Sequence, residues 1–315
     1  MSTRTTLARE ISAEGIALHS GAEVHMTLSP APSGHGVVFR RSDRGNAEVP
    51  ARYDAVAETN LGTVIAANGV KIGVIEHLMA AVAGAGIDDL LVTLDGGEPP
   101  ILDGDALGYL TLLDRAGTAG QAGTKTAIKV TRPVEVAIKD ARITLSPSDA
   151  PDYSYELDYS NTKAIGKQFY RVALTREAFA REIAPARTFG FVHELDYLKS
   201  IDRGHGASLE NTLAIEGDAV LNKDLMRFPD EFVRHKILDA IGDMALAGAP
   251  PDRPVRGRQI RPWDQQCRAP RPLRRPRQLR DNRFRLIARR ACYKRPRRAL
   301  TLARNRLDPA GTGMA

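Results

Sequence analysis

An α+β fold of two similar domains, followed by a tail of different character, is what this sequence predicts. Three observations predict it. Strand-like alternation gives way to helix-like periodicity twice along the chain, in the first 120 residues and again by residue 247. Thr27-Leu28-Ser29-Pro30 recurs as Thr144-Leu145-Ser146-Pro147, each time ending a strand before a Ser/Pro/Gly/Asp loop. Charge also divides at Pro250. Residues 1–250 carry 25 Lys and Arg against 34 Asp and Glu, while residues 251–315 carry 20, of which 19 are Arg, against four Asp. The expected units are a first α+β domain over 1–120, a second over 126–250, and an aberrant Arg/Pro-rich tail over 251–315.

The elements follow in order. Val24, Met26 and Leu28 alternate with His25 and Thr27, a half-buried strand. Val37 to Phe39 continues the pattern after the turn Pro32-Ser33-Gly34. Between Gly73 and Gly84 the period becomes helical. Ile75, Leu78, Met79 and Val82 share a face, and Gly84 and Gly86 are placed to close the helix. Leu90 to Leu94 is a short buried strand, and Tyr109 to Leu113 a second helix ending near Gly117. Gly117 to Lys125 is small, polar and Gly-rich, which predicts a linker. Strands are expected again at Ile128–Val130, Val134–Ile138 and Ile143–Leu145, then helices near Arg176–Ile183 and His193–Leu198. Thr212–Ile215 and Ala219–Leu221 form a hairpin-like pair. Pro229 to Ala247 is a strong helix. Pro229 suits its first turn, Asp230 and Glu231 its positive end, and Gly248 its C-terminus.

Composition excludes several classes. At 315 residues, 43% apolar and 26% charged, the chain reads as a globular protein. No stretch approaches the roughly 18 apolar residues of a membrane-spanning helix. Met1 to Ile11 has no apolar core and is not a secretory signal. Two cysteines, Cys267 and Cys292, cannot make a disulfide scaffold. A cytoplasmic location is expected.

Chemistry gathers on the last strong helix. His235, Asp239 and Asp243 recur at i, i+4 and i+8, so they share one face, with Val233, Ile237, Ala240, Ile241 and Met244 on the other. Polar residues opposite a core stripe can be no more than a solvated face. An imidazole and a carboxylate at i, i+4 also make a rigid clip for zinc. A third ligand would have to come from elsewhere, and His77 is the best placed. Glu76 precedes it and could deprotonate a water at the metal, unless both are ordinary helix residues. His25 and His35 sit in strand or turn contexts and are expected at the surface. Phe189 and Phe191 flank Gly190 after a helix. They are either an exposed apolar wall or a loop buried on the core. Lys236 could snorkel to solvent or hold a phosphate.

Taken together the motifs are specific. Leu18-His19-Ser20-Gly21, Val74-Ile75-Glu76-His77-Leu78 with Ala83-Gly84-Ala85-Gly86-Ile87-Asp88, Ile101-Leu102-Asp103-Gly104, Ala186-Arg187-Thr188-Phe189-Gly190-Phe191 and Arg234-His235-Lys236-Ile237-Leu238-Asp239-Ala240-Ile241-Gly242-Asp243 appear in this order. From about Thr5 to Pro250 the chain closely resembles the UDP-3-O-acyl-N-acetylglucosamine deacetylases, zinc hydrolases of lipid A synthesis in Gram-negative bacteria. The resemblance implies two similar domains with the active site between them. It implies His77, His235 and Asp239 as ligands of Zn2+ and Glu76 as general base. Asp243 would orient a catalytic histidine, and Thr188 would help hold the oxyanion. Phe189 and Phe191 would line the cleft, Lys236 would contact the nucleotide phosphates, and His19 would join the substrate-binding residues. A monomer acting on UDP-3-O-acyl-N-acetylglucosamine is expected, with no specific nucleic-acid partner.

The resemblance breaks after Pro250. The family supplies its general acid from a histidine in a Ser-Gly-His loop beyond the Asp243 helix, and residues 251–315 contain no His. Read from the second base of the Pro250 codon, with permitted synonymous choices, the codons of Pro250 to Cys267 spell PLIGRFVGAKSGHGINN, the text that the family expects there. The tail is therefore read as a shifted frame. A chain without the acid should keep the metal clip but lose a rate factor of about 10²–10⁴. Nineteen Arg and eight Pro cannot build a core, so residues 251–315 are expected to be disordered. Two rivals remain: a protein that uses its basic tail to bind nucleic acid or an anionic membrane, and a different zinc amidohydrolase sharing the clip.

Overall fold

The computed structural model describes residues 3–128, 130–138, 141–147, 151–248 and 255–260, the last six by their backbone. The first half runs β1 (Thr3–Leu7), β2 (Ile11–Ile16), β3 (Glu23–Pro30), β4 (Val37–Arg41), β5 (Ala47–Pro50), β6 (Val56–Glu58), β7 (Val64–Ala67), β8 (Val70–Ile72), α1 (Glu76–Ala85), β9 (Leu90–Leu94), α2 (Leu107–Ala116) and β10 (Thr118–Thr124). The second runs β11 (Val134–Ile138), β12 (Ala141–Leu145), β13 (Asp152–Tyr159), β14 (Gly166–Ala173), α3 (Arg176–Ala178), β15 (Phe189–Phe191), α4 (Leu195–Ser200), β16 (Leu213–Glu216), β17 (Ala219–Val220), α5 (Glu231–Ala245) and β18 (Val255–Ile260).

The two halves repeat one topology, and this explains the sequence echo. The first sheet is ordered β2-β3-β9-β4-β5 and the second β11-β12-β18-β13-β14. In each, two antiparallel hairpins flank an inserted strand, antiparallel to one inner neighbour and parallel to the other. A helix precedes each inserted strand: α1 before β9, α5 before β18. Thr27–Pro30 ends β3, and Thr144-Leu145 ends β12, the strand in the matching place. Val24, Met26 and Leu28 point into the core while His25 faces solvent, as the alternation predicts. His35, expected at the surface, is instead half-buried, with Nδ1 3.1 Å from the Gly36 carbonyl oxygen.

α1, α2 and α5 contribute to one apolar core. α1 packs on both α5 and α2 and contributes Leu78, Met79 and Val82 to the core. α5 adds Ile237, Leu238, Ile241 and Met244 to the same core. It is buried nearly all round, so the solvated-face reading of His235, Asp239 and Asp243 is excluded.

Some expectations need correction. Gly117–Lys125 is not a linker. Most of it is β10, which pairs antiparallel with β1 through Thr5 and Gly120. Small residues hid this strand, because its pairing uses backbone groups and needs no apolar side chains. α1 begins at Glu76 rather than Gly73, since Val74 has φ 53°, a left-handed value uncommon for a β-branched residue. α5 begins at Glu231, two residues after Pro229, behind a turn in which Glu231 accepts the N–H groups of Arg227 and Phe228. Phe189–Phe191 is neither an exposed wall nor a core loop, but a half-buried strand paired with β16. The tail is not without structure throughout, because Val255–Ile260 fills the central slot of the second sheet. The backbone of that slot is satisfied by two neighbouring strands, and this requires no apolar composition. Residues 249–254 and 261–315, with Trp263 and both cysteines, lie outside the described residues, as does Lys129 in the strand expected at Ile128–Val130.

Candidate metal and active site

The first turn of α1 meets the last turn of α5 at Gly242. A Cβ there would lie 2.0 Å from the Glu76 carbonyl oxygen, so only glycine permits this approach. The contact sets His77 on one helix against His235 on the other, with ring centroids 4.9 Å apart at 84°. Asp239 lies one turn along from His235. Its Oδ1 is 3.4 Å from His235 Nε2 and 3.7 Å from His77 Nε2. One ligand atom from each residue falls within 4.8 Å of the other two, and all three residues are buried.

His235 is held in the form a metal needs. Its Nδ1 lies 3.0 Å from the Ala186 carbonyl oxygen, which can only accept, so Nδ1 carries the proton and Nε2 presents its lone pair. Burial pushes its pKa down to about 3. His77 and Lys236 push the same way, against the pull of Asp239. The imidazole is therefore neutral at ordinary pH. Two imidazole nitrogens and one carboxylate oxygen suit zinc, and three protein ligands leave a coordination position open.

Glu76 follows from the same helix start. Its Oε2 accepts the backbone N–H of Thr63 at 2.9 Å. The Thr63 hydroxyl donates to Asp243 Oδ1 at 2.6 Å, so one residue ties together the two carboxylates. The loop before it is sharply bent, with Leu61 at φ 63°. Its Leu61 carbonyl oxygen lies 2.9 Å from His19 Nε2, and the His19 N–H donates to Glu98. His19 thus stands one loop behind Glu76.

The other expected residues divide. Phe189 comes to the metal group: its ring is edge-on to Phe232 at 4.9 Å and to His235 at 6.3 Å. Phe191 lies on the same face of β15 but stacks on Tyr159 at 6.0 Å. Lys236 donates to Asp239 Oδ2 at 2.9 Å and lies 5.1 Å from the Phe189 ring centroid. Thr188 is half-buried, fixed by its N–H to the Gly104 carbonyl oxygen at 2.8 Å. That brings Gly104, the last residue of the Ile101-Leu102-Asp103-Gly104 motif, against it.

Sequence reasoning missed Thr63, Arg187 and Glu231. Thr63 works partly through its backbone, which leaves no residue-type signature. Arg187 and Glu231 form a buried ion pair, Nε to Oε1 at 3.0 Å, across 44 positions of sequence. A Glu in a first helical turn passes for an ordinary dipole partner.

Comparison with known proteins shows the family of the chain. The family profile of UDP-3-O-acyl N-acetylglycosamine deacetylase matches residues 4–259, continuing past Pro250 into β18. The UDP-3-O-acyl-N-acetylglucosamine deacetylase of a Nitratiruptor species is 44% identical over 245 residues, 78% of this chain and 82% of that protein. The proteins of the same name from Aliarcobacter butzleri and Myxococcus xanthus are each 44% identical, over 242 and 246 residues. These alignments cover 76% and 78% of this chain, and 80% and 78% of the respective relatives.

Proposed function

The chain belongs to the UDP-3-O-acyl N-acetylglycosamine deacetylase family, and from that premise we propose that it is a zinc-dependent amide hydrolase. It removes the N-acetyl group of UDP-3-O-(3-hydroxyacyl)-N-acetylglucosamine and releases acetate, in the cytoplasm of a Gram-negative bacterium, at the committed step of lipid A synthesis. The observation that carries this reading is the buried His77, His235 and Asp239 cluster. No helix among the described residues is long and apolar enough to cross a membrane.

Zinc held by these three residues would polarise the amide carbonyl and acidify water. The remaining steps belong to the chain. Glu76, held by the Thr63 N–H, accepts the proton of the attacking water. The Thr188 hydroxyl donates to the oxyanion that develops on the carbonyl oxygen. The half-buried rings of Phe189 and Phe191 line the substrate cleft. Lys236 balances the charge of Asp239 and faces the nucleotide phosphates, while His19 completes the substrate contacts. The departing amine must take up a proton. The histidine that would supply it is absent from residues 251–315, so this chain turns over slowly.

The test is acetate release from UDP-3-O-acyl-N-acetylglucosamine by the 315-residue protein, beside a version whose reading frame is shifted back after Pro250. The restored version should be faster by about 10²–10⁴, and chelation should abolish both rates. A zinc-loaded restored version that releases no acetate would overturn the reading.

A further inference from the structure

The peptide unit joining Ala186 to Arg187 is gripped at both ends by α5. Its carbonyl oxygen lies 3.0 Å from His235 Nδ1, and its N–H donates to Glu231 Oε1 at 3.0 Å. Glu231 and His235 stand one turn apart on one face of α5. The C=O and N–H of a trans peptide point in opposite directions, so the two side chains hold a single rigid plane from its two sides. Rotation of that plane would break both bonds together.

Glu231 is suited to nothing less than a full carboxylate. It is completely buried. Its Oε1 accepts from the Arg187 N–H and from Arg187 Nε, each at 3.0 Å. Its Oε2 accepts from the Arg227 N–H at 2.6 Å and the Phe228 N–H at 3.4 Å. All four partners are donors. A glutamine would turn its NH2 group toward one of these pairs, and an aspartate would fall a methylene short. The Arg187 guanidinium compensates the buried charge and also donates to the Leu225 carbonyl oxygen. Arg227 in turn reaches Asp103 and Asp105 in the loop before α2, which ties the turn before α5 to the first half of the chain.

We propose that Glu231 is a positioning residue for His235: by clamping the Ala186–Arg187 peptide it fixes the tautomer and ring orientation with which His235 presents Nε2 to a metal. This rests on the metal-site reading above. The partner that a ligating imidazole's other nitrogen addresses generally governs metal affinity, and its loss costs about 10–100-fold. Glu231 acts one step further out, through the peptide that provides that partner. A purely structural ion pair would influence folding and leave the metal alone.

The experiment uses the full chain. Zinc affinity is measured by competition with a chelating indicator, and ligand geometry from the visible absorption of the Co2+-substituted protein. Glu231→Gln is compared with wild type and with Val233→Ala, a core truncation on the same helix that lowers the Tm of the metal-free protein without touching the peptide. Glu231→Gln should bind zinc about 10–100-fold more weakly and shift the Co2+ bands, while Val233→Ala keeps both. If Glu231→Gln does not yield folded protein, Glu231→Asp retains the charge beside Arg187, withdraws it from the peptide N–H, and carries the same expectation. Normal zinc binding by wild type with unchanged binding and spectrum in the Glu231 variant overturns the role of Glu231 alone. Absence of metal binding in wild type overturns the metal-site reading and this inference with it.

Discussion

Thr63 donates its hydroxyl to Asp243 Oδ1 at 2.6 Å, across 180 positions of sequence. Its own N–H meanwhile holds Glu76. The residue proposed as general base and the acid on α5 therefore share one anchor, in the loop before β7. Side chain and backbone can be separated there by mutation. Thr63→Val keeps the N–H but withdraws the hydroxyl from a buried carboxylate, which costs about 1–3 kcal/mol. The rate should fall while zinc content stays at wild-type level, and Thr63→Ser should restore the rate. Equal rates for Val and Ser would show that the hydroxyl is idle.

Stoichiometric metal content should depend on each of the three proposed ligands. His77→Ala, His235→Ala and Asp239→Ala should each lose stoichiometric zinc by elemental analysis, and chelation should lower the Tm of wild type because the metal binds only the folded chain. Phe189→Leu, beside His235 but offering no ligand atom, should retain its metal. Full zinc in His77→Ala would remove that residue from the set.

Gly242→Ala tests how tightly the helices cross. The added methyl would lie 2.0 Å from the Glu76 carbonyl oxygen and 3.1 Å from the Ala80 nitrogen. Overpacking of this kind costs about 1–3 kcal/mol, and here it also displaces Glu76 and His77. Gly190→Ala, whose Cβ would meet nothing within 4 Å, is the control. Urea melts of the two variants should differ by that amount. A Gly242→Ala protein as stable as Gly190→Ala would mean that the helices are not in contact at that point.

Acid should loosen the N-terminal strand through Asp89. Burial alone would raise its pKa, but the Arg4 guanidinium, at 2.6 Å and 2.8 Å, and the Gly36 N–H hold it below the usual carboxylate range. A depressed folded-state pKa contributes stability that is present above the unfolded value of about 3.9 and is lost as pH falls through the folded value. Asp89→Asn should lower the urea midpoint at neutral pH, and its gap from wild type should narrow below about pH 4. A constant gap down to the acid limit would assign the stabilisation to something other than this charge.

Much of the site was legible because its chemistry is carried by residue type at helical spacing. His235 and Asp239 announce a two-ligand clip, and Glu76-His77 offers its complement. What stayed hidden works through backbone groups or through pairs distant in sequence. Thr63 acts on Glu76 by its N–H, and the Ala186–Arg187 peptide acts on His235 by its carbonyl. The fold shows the same division. Val24, Met26 and Leu28 revealed β3 by burying alternate side chains, whereas β10 is built of Ala, Gly, Gln and Thr and pairs without any apolar face. The solvated alternative for α5 fell because tertiary packing covers both of its faces, which a single helix's periodicity does not foretell.

The place of β18 has a consequence for synthesis on the ribosome. In the first sheet the inserted strand β9 emerges before α2, so that sheet can close early. In the second, β11–β12 and β13–β14 are made as two hairpins that meet only through β18, the last strand among the described residues. Until Val255–Ile260 leaves the exit tunnel, each hairpin presents a raw inner edge to any other nascent chain. The growing polypeptide thus passes through a long interval in which α5, with two of the three proposed metal ligands, has no finished sheet to rest on.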